Sequence, residues 1–135
     1  MEESILNSIK KLLGITKDYT NFDTDIIIHI NSVFMVLNQM GVGPANGFKI
    51  EDSTKTWKEY MITEENLEAV KSYIYLKVRL IFDPPINSAV TESIKQMITE
   101  LEWRLNFQAE SNNEEGNIVD RNPESIPDEY IGNLA

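Results

Sequence analysis

The segment from Leu67 to Phe82 constrains this chain more than any other. Leu67, Val70, Ile74, Val78 and Ile81 recur at helical spacing, and Tyr73, Tyr75, Leu76, Leu80 and Phe82 widen that stripe until most of the circumference is apolar. A helix of this kind cannot lie on a surface, so other elements must enclose it. Thr63-Glu64-Glu65 supplies side-chain caps at its start, and Asp83-Pro84-Pro85 ends it because neither proline donates an amide proton.

Three further amphipathic stretches are available as cover. From Ser4 to Leu13, Ile5, Leu6, Ile9, Leu12 and Leu13 fall on one stripe, and Gly14 ends it. Asp23-Thr24-Asp25 opens a second helix carrying Ile26, Ile27, Ile30, Val33, Phe34, Leu37 and Met40, with Gly41-Val42-Gly43-Pro44 as its stop. Its β-branched content suits a strand, but the period is helical. The last helix starts near Asn87-Ser88 with Val90, Ile94, Met97, Ile98, Leu101 and Leu105 as its buried face and Trp103 at the edge. Residues 45–62 show no such period, and Phe48, Ile50 and Trp57 around Glu51-Asp52-Ser53 predict a short hairpin or an ordered loop. The expected fold is all-α: a small bundle of four main helices, residues 1–108, with the Leu67–Phe82 helix at its centre. Residues 109–135 are expected to form an acidic extended tail, disordered when unbound.

Charge narrows the function. Twenty-two acidic residues against twelve basic ones give −10, whereas duplex wrapping needs a surplus of Lys and Arg to displace phosphate counterions. The tail is the most acidic part, with seven carboxylates against Arg121. It also has two prolines and scattered apolar residues too few to offset the entropy of ordering. No apolar run approaches the length of a membrane span, and Met1-Glu2-Glu3-Ser4 is acidic where a secretory leader would be basic, so neither membrane insertion nor export is expected. With no cysteine, disulfides, thiol catalysis and thiolate metal sites are excluded.

The remaining chemistry is sparse. His29, the one histidine, sits four residues after Asp25, but no third metal ligand is near, and a half-buried helical residue is the better reading. Gly41-Val42-Gly43-Pro44 lacks the Lys-Ser or Lys-Thr of a phosphate loop and reads as a turn. Glu51 and Asp52 look exposed, with Lys49 and Lys55 as charge partners, so neither has the raised pKa of a general acid. Tyr73 and Tyr75 interleave with Lys77 and Arg79, yet on a helix the two rings point to different faces and build no stacking platform. No catalytic or cofactor-binding set is found, and an enzyme is not expected.

Taken in order, Ile9 to Ile15, Asp23 to Phe34, Leu37 to Pro44, Phe48 to Asp52 ahead of Trp57, Ala69 to Pro85 and Glu102 to Asn106 resemble the head-tail connector, or adaptor, proteins of long-tailed bacteriophages, over about residues 1–108. The resemblance implies a structural virion protein at the neck, assembled in the host cytoplasm, with no cofactor. It implies a ring, dodecameric by the portal's twelvefold symmetry, that sits beneath the portal, extends the DNA channel and offers a platform to stopper or tail completion proteins. A negative wall suits a channel that DNA must pass without sticking. Phe48, Trp57 and Tyr60 of the 45–62 loop either meet a neighbouring subunit or cap their own bundle. In the tail, Ile118, Val119, Ile126, Tyr130, Ile131 and Leu134 are spaced as anchors for a groove on the portal or on an adjacent subunit. Another class of function fits the acidity as well: an adaptor that regulates a host enzyme through its tail. A metal or enzyme site at His29 comes third.

Overall fold

In the computed structural model the described residues are 3–60 and 66–116, with the last helix described by its backbone alone at 108 and from 110 onward. The fold is all-α. Helices α1 (Ile5–Leu12), α2 (Asp23–Gln39), α4 (Leu67–Phe82) and α5 (Ser88–Gly116) are the four main ones, and α3 (Trp57–Tyr60) is a single turn inside the connection between α2 and α4. That connection is an ordered loop. No strand forms among the described residues, and one isolated antiparallel bridge, Ser4 to Thr56, stands where a hairpin was the alternative.

Helix α4 lies at the centre, packed against α1, α2 and α5. Val70, Tyr73, Ile74, Leu76 and Val78 are buried, as its wide apolar face requires. Among the described residues α2 and α5 make no extended contact with each other, so they flank α4 rather than close a triangle with it. Their nearest approach is at one end, where a side chain on Gly41 would stand 3.5 Å from Cβ of Ala109.

The ends follow from local chemistry. Ser4 caps α1 by accepting from the Asn7 amide at 3.2 Å, and Asn87 caps α5 by accepting from the Ala89 amide at 2.8 Å. At the end of α2, Gly41 adopts φ +84, the Gly41 amide donates to the Asn38 carbonyl at 3.0 Å and the Val42 amide to Leu37 at 2.9 Å. This pair of bonds is the Schellman arrangement, and the burial of Val42 supplies its usual apolar contact.

Four expectations need correction. The carboxylates at the start of α2 do not cap it: Phe22 occupies the cap position, and Asp23, inside the helix, turns to Lys10. Val90 and Met97 of α5 are exposed, because α4 is the one helix packed extensively on it and a single neighbour buries only a narrow stripe: Ile94, Ile98, Leu105 and Ala109. Leu12 is likewise exposed, since α1 ends before a partner reaches it. Helix α5 also continues through Ala109, where the apolar pattern weakens, to Gly116. The proposed cap at Thr63-Glu64-Glu65 lies outside the described residues.

Lys10 is the one fully buried charged side chain among the described residues. Its ammonium donates to the backbone carbonyls of Lys17 at 3.1 Å and Tyr19 at 2.7 Å, and pairs with Asp23 at 2.7 Å. Three oxygens thereby match its three N–H donors, and the irregular segment between α1 and α2 is wound around them.

Two substitutions test this packing. Val78→Asp places an unpaired carboxylate beneath three helices and is expected to destabilise the chain by ~3–5 kcal/mol, read as a large fall in the thermal midpoint. Lys10→Met strands a mostly buried carboxylate and two carbonyls, and a denaturant titration is expected to show a loss of about 3 kcal/mol or more.

Candidate functional site

The 45–60 loop is fastened to the bundle at two points. The side-chain amide of Asn31 on α2 donates to the Ile50 carbonyl at 2.9 Å and accepts from the Ile50 amide at 2.8 Å, pairing with that residue's backbone much as a neighbouring strand would. At the other point the Trp57 indole N–H donates to Ser8 Oγ at 2.8 Å, and the Ser8 hydroxyl donates to the Ile5 carbonyl at 2.9 Å. Backbone bonds reinforce this junction: the Ile5 amide donates to Lys55 at 3.0 Å and the Trp57 amide to Glu3 at 3.2 Å. The Lys71 ammonium lies 5.6 Å from the Trp57 ring centroid and 3.1 Å from a Glu3 carboxylate oxygen.

Between these points Phe34, Phe48 and Tyr60 form a three-ring cluster with centroids 4.7 to 5.2 Å apart. Tyr60 lies over Gly43, where any Cβ would come within 2.7 Å of its hydroxyl, so only glycine admits the ring. The rings sought on the surface are therefore largely inside. Trp57 is 2% exposed and Tyr60 4%, while Phe48 is half-buried and packs on the core. Of the three only Phe48 reaches the surface, where it lines a concavity of about 560 Å³ with Phe34, Met35 and Lys49.

The two tyrosines without a surface role are chemically distinctive. The Tyr60 hydroxyl is buried without a hydrogen-bond partner, and burial pushes its pKa well above the usual value. Tyr73 is raised by burial and also by its 3.0 Å hydrogen bond to Glu102. Lys77 lies over the Tyr73 ring, and Arg79 donates to the Tyr75 hydroxyl at 3.0 Å. The basic residues of this interleaving thus pair with tyrosines along α4 itself, and Tyr73 links α4 to α5 through Glu102. Elsewhere, the Asp52 carboxylate accepts from the Thr54 hydroxyl and amide, which hold its pKa below the usual range. Lys55, foreseen as a charge partner for the Glu51-Asp52 pair, does help to lower the Asp52 pKa, and it also pairs with Glu59 at 3.5 Å. His29 is half-buried on α2, and among the described residues no three potential ligands gather as a metal site.

Apolar side chains do reach solvent elsewhere. Trp103 is 69% exposed and Phe107 56%, and their rings stack at 5.6 Å on the outer side of α5. Ile28 and Met35, two turns apart, do the same on the outer side of α2. Sequence reasoning placed Trp103 at an edge and passed over Phe107, although the i, i+4 spacing of two aromatic residues was the available signal. Among the described residues no helix is long and apolar enough to cross a membrane. The six tail anchors, Ile118 to Leu134, lie outside the described residues.

Among the described residues this arrangement holds the loop to the helices in one shape. Comparison with known families gives that shape a context: a family model described as phage connector protein matches residues 5–112, from the first residue of α1 into the last turns of α5. The chain belongs to the phage connector family. No curated protein and no solved structure matches it. The match takes in all five helices and the fastened loop, so the loop belongs to the connector domain.

The buried phenols give this connector a pH signature. Folding holds both Tyr60 and Tyr73 protonated, whereas unfolded chains titrate near the usual value of 10. Stability is therefore fully present below that pH and falls as pH rises above it. Tyr60→Phe, which removes an unpartnered hydroxyl, is expected to leave the neutral-pH midpoint unchanged or higher and to flatten the alkaline decline, as followed by thermal melts from pH 7 to 11.

Proposed function

We propose that this chain is a structural head-tail connector of a long-tailed phage: a ring of identical subunits, twelve by the portal's symmetry, seated beneath the portal. There it extends the DNA channel and presents a platform to the stopper or tail completion proteins. The family match over residues 5–112 carries this reading. Two physical observations support it. A net charge of −10 favours passage of DNA over its retention. Exposed apolar residues lie on more than one helix, among them Ile28 and Met35 on α2 and Trp103 and Phe107 on α5, as contacts with more than one neighbour require.

Within this reading, Phe48 belongs to a contact surface, while Trp57 and Tyr60 support it from inside by holding the loop on α1 and α2. The six anchors between Ile118 and Leu134 engage a groove on the portal or on an adjacent subunit, with the surrounding carboxylates meeting Lys or Arg there.

Truncation after Gly116 tests the division of labour. The shortened chain is expected to melt close to the full-length protein but to sediment with portal less completely, and the full chain's portal binding is expected to weaken as salt rises. Equal portal binding by both forms would remove the tail from the interface, and no portal binding by the full chain would overturn the connector reading.

A further inference from the structure

The outer sides of α2 and α5 are the two flanks of the α2–α4–α5 layer, and each carries apolar side chains that no other described residue covers. On α5 it is a projection, the stacked pair of Trp103 and Phe107. On α2 it is a hollow, about 560 Å³, with Met35 and Phe48 in its lining. We infer that the Trp103–Phe107 pair of one copy seats in the Met35–Phe48 hollow of the next, a head-to-tail contact between two copies of this chain. The inference rests on the ring reading above and assigns its surfaces.

Charge selects this pairing among the alternatives. Copies with net charge −10 repel each other unless local signs are opposed where they touch. Glu100 is exposed one turn before Trp103, and the hollow holds Lys49 and no carboxylate. Seating α5 against α2 brings Glu100 toward Lys49. Seating α5 in parallel against a second α5 would instead bring Glu100 toward Glu100. The larger groove beside α1, about 670 Å³, is a poorer host for an acidic flank, because Glu3 and Glu68 line it beside Lys11 and Lys71, and Lys71 is already paired with both carboxylates. A contact between two different faces of the same chain is also the kind that repeats around a ring, whereas a self-complementary one stops at a pair.

The absence of native cysteines allows a direct test. Gln96→Cys on the α5 flank and Asn46→Cys at the hollow leave the four contact side chains, Glu100 and Lys49 intact. The two variants are mixed with a short bismaleimide, both as concentrated protein and as copies bound to portal. The expected result is cross-linked product in the mixture and none with either variant alone. Trp103→Ala is expected to weaken self-association by roughly tenfold or more in sedimentation, with an unchanged thermal melt. Cross-linking of Gln96→Cys to itself would overturn the inference, as would self-association that survives Trp103→Ala without mixed product; either result leaves the connector reading standing. Copies that neither self-associate nor bind portal would overturn both.

Discussion

The enclosure of α4 is the constraint on which everything else rests. A sixteen-residue helix with apolar side chains around most of its surface is stable only when several partners remove it from water, and here α1, α2 and α5 do so. Because α2 and α5 take separate sides of it, the subunit is a layer of three helices with α1 laid across α2 and α4. Such a layer buries one full side of its middle helix and more, although Ile81, expected on the buried stripe, is exposed near the helix end, and it buries its outer helices on one side only. The exposed Ile28, Met35, Trp103 and Phe107 are a consequence of that geometry.

Packing alone does not settle the irregular segments, and polar side chains do so instead. Between α1 and α2 the backbone carbonyls of Lys17 and Tyr19 find their donor in Lys10. Between α2 and α4, Asn31 takes both backbone groups of Ile50, while Ser8 takes the Trp57 indole. In each case a side chain within a helix satisfies groups that regular secondary structure would otherwise satisfy, so the loops have one conformation without belonging to a sheet. The connector's surface loop is consequently as much part of the core as the helices are.

The helices were legible because periodicity is a local signal. Apolar spacing located all four main helices, and Gly41 marked the end of α2 through the left-handed backbone it adopts. What stayed hidden depends on partners distant in the chain. Lys10 looks like a solvated charge beside Lys11, since nothing nearby shows that carbonyls of a later loop will surround it. Trp57 and Tyr60 lie in a stretch too short to carry a period, and their burial depends on Ser8 and Gly43. Val90 and Met97 continue the stripe of α5, but periodicity cannot count the helices present to cover it. The candidate surfaces were the least legible part, because which apolar residues remain outside is settled only after the layer has formed.

The junction of α1 with the 55–57 segment bears on how the chain reaches this state during synthesis. The Ser8–Trp57 bond joins residues 49 apart, and Lys71 reaches Glu3 across 68. Helix α1 therefore leaves the ribosome well before those partners, with Ile5, Leu6 and Ile9 still facing water, and an eight-residue helix on its own is marginal. Lys10 ties α1 early to the segment that follows it, but the docking of its Ser8 side waits on a long loop closure and is among the last contacts of the subunit to be secured. That delay sets an interval in which nascent chains expose apolar residues to one another before the bundle is complete.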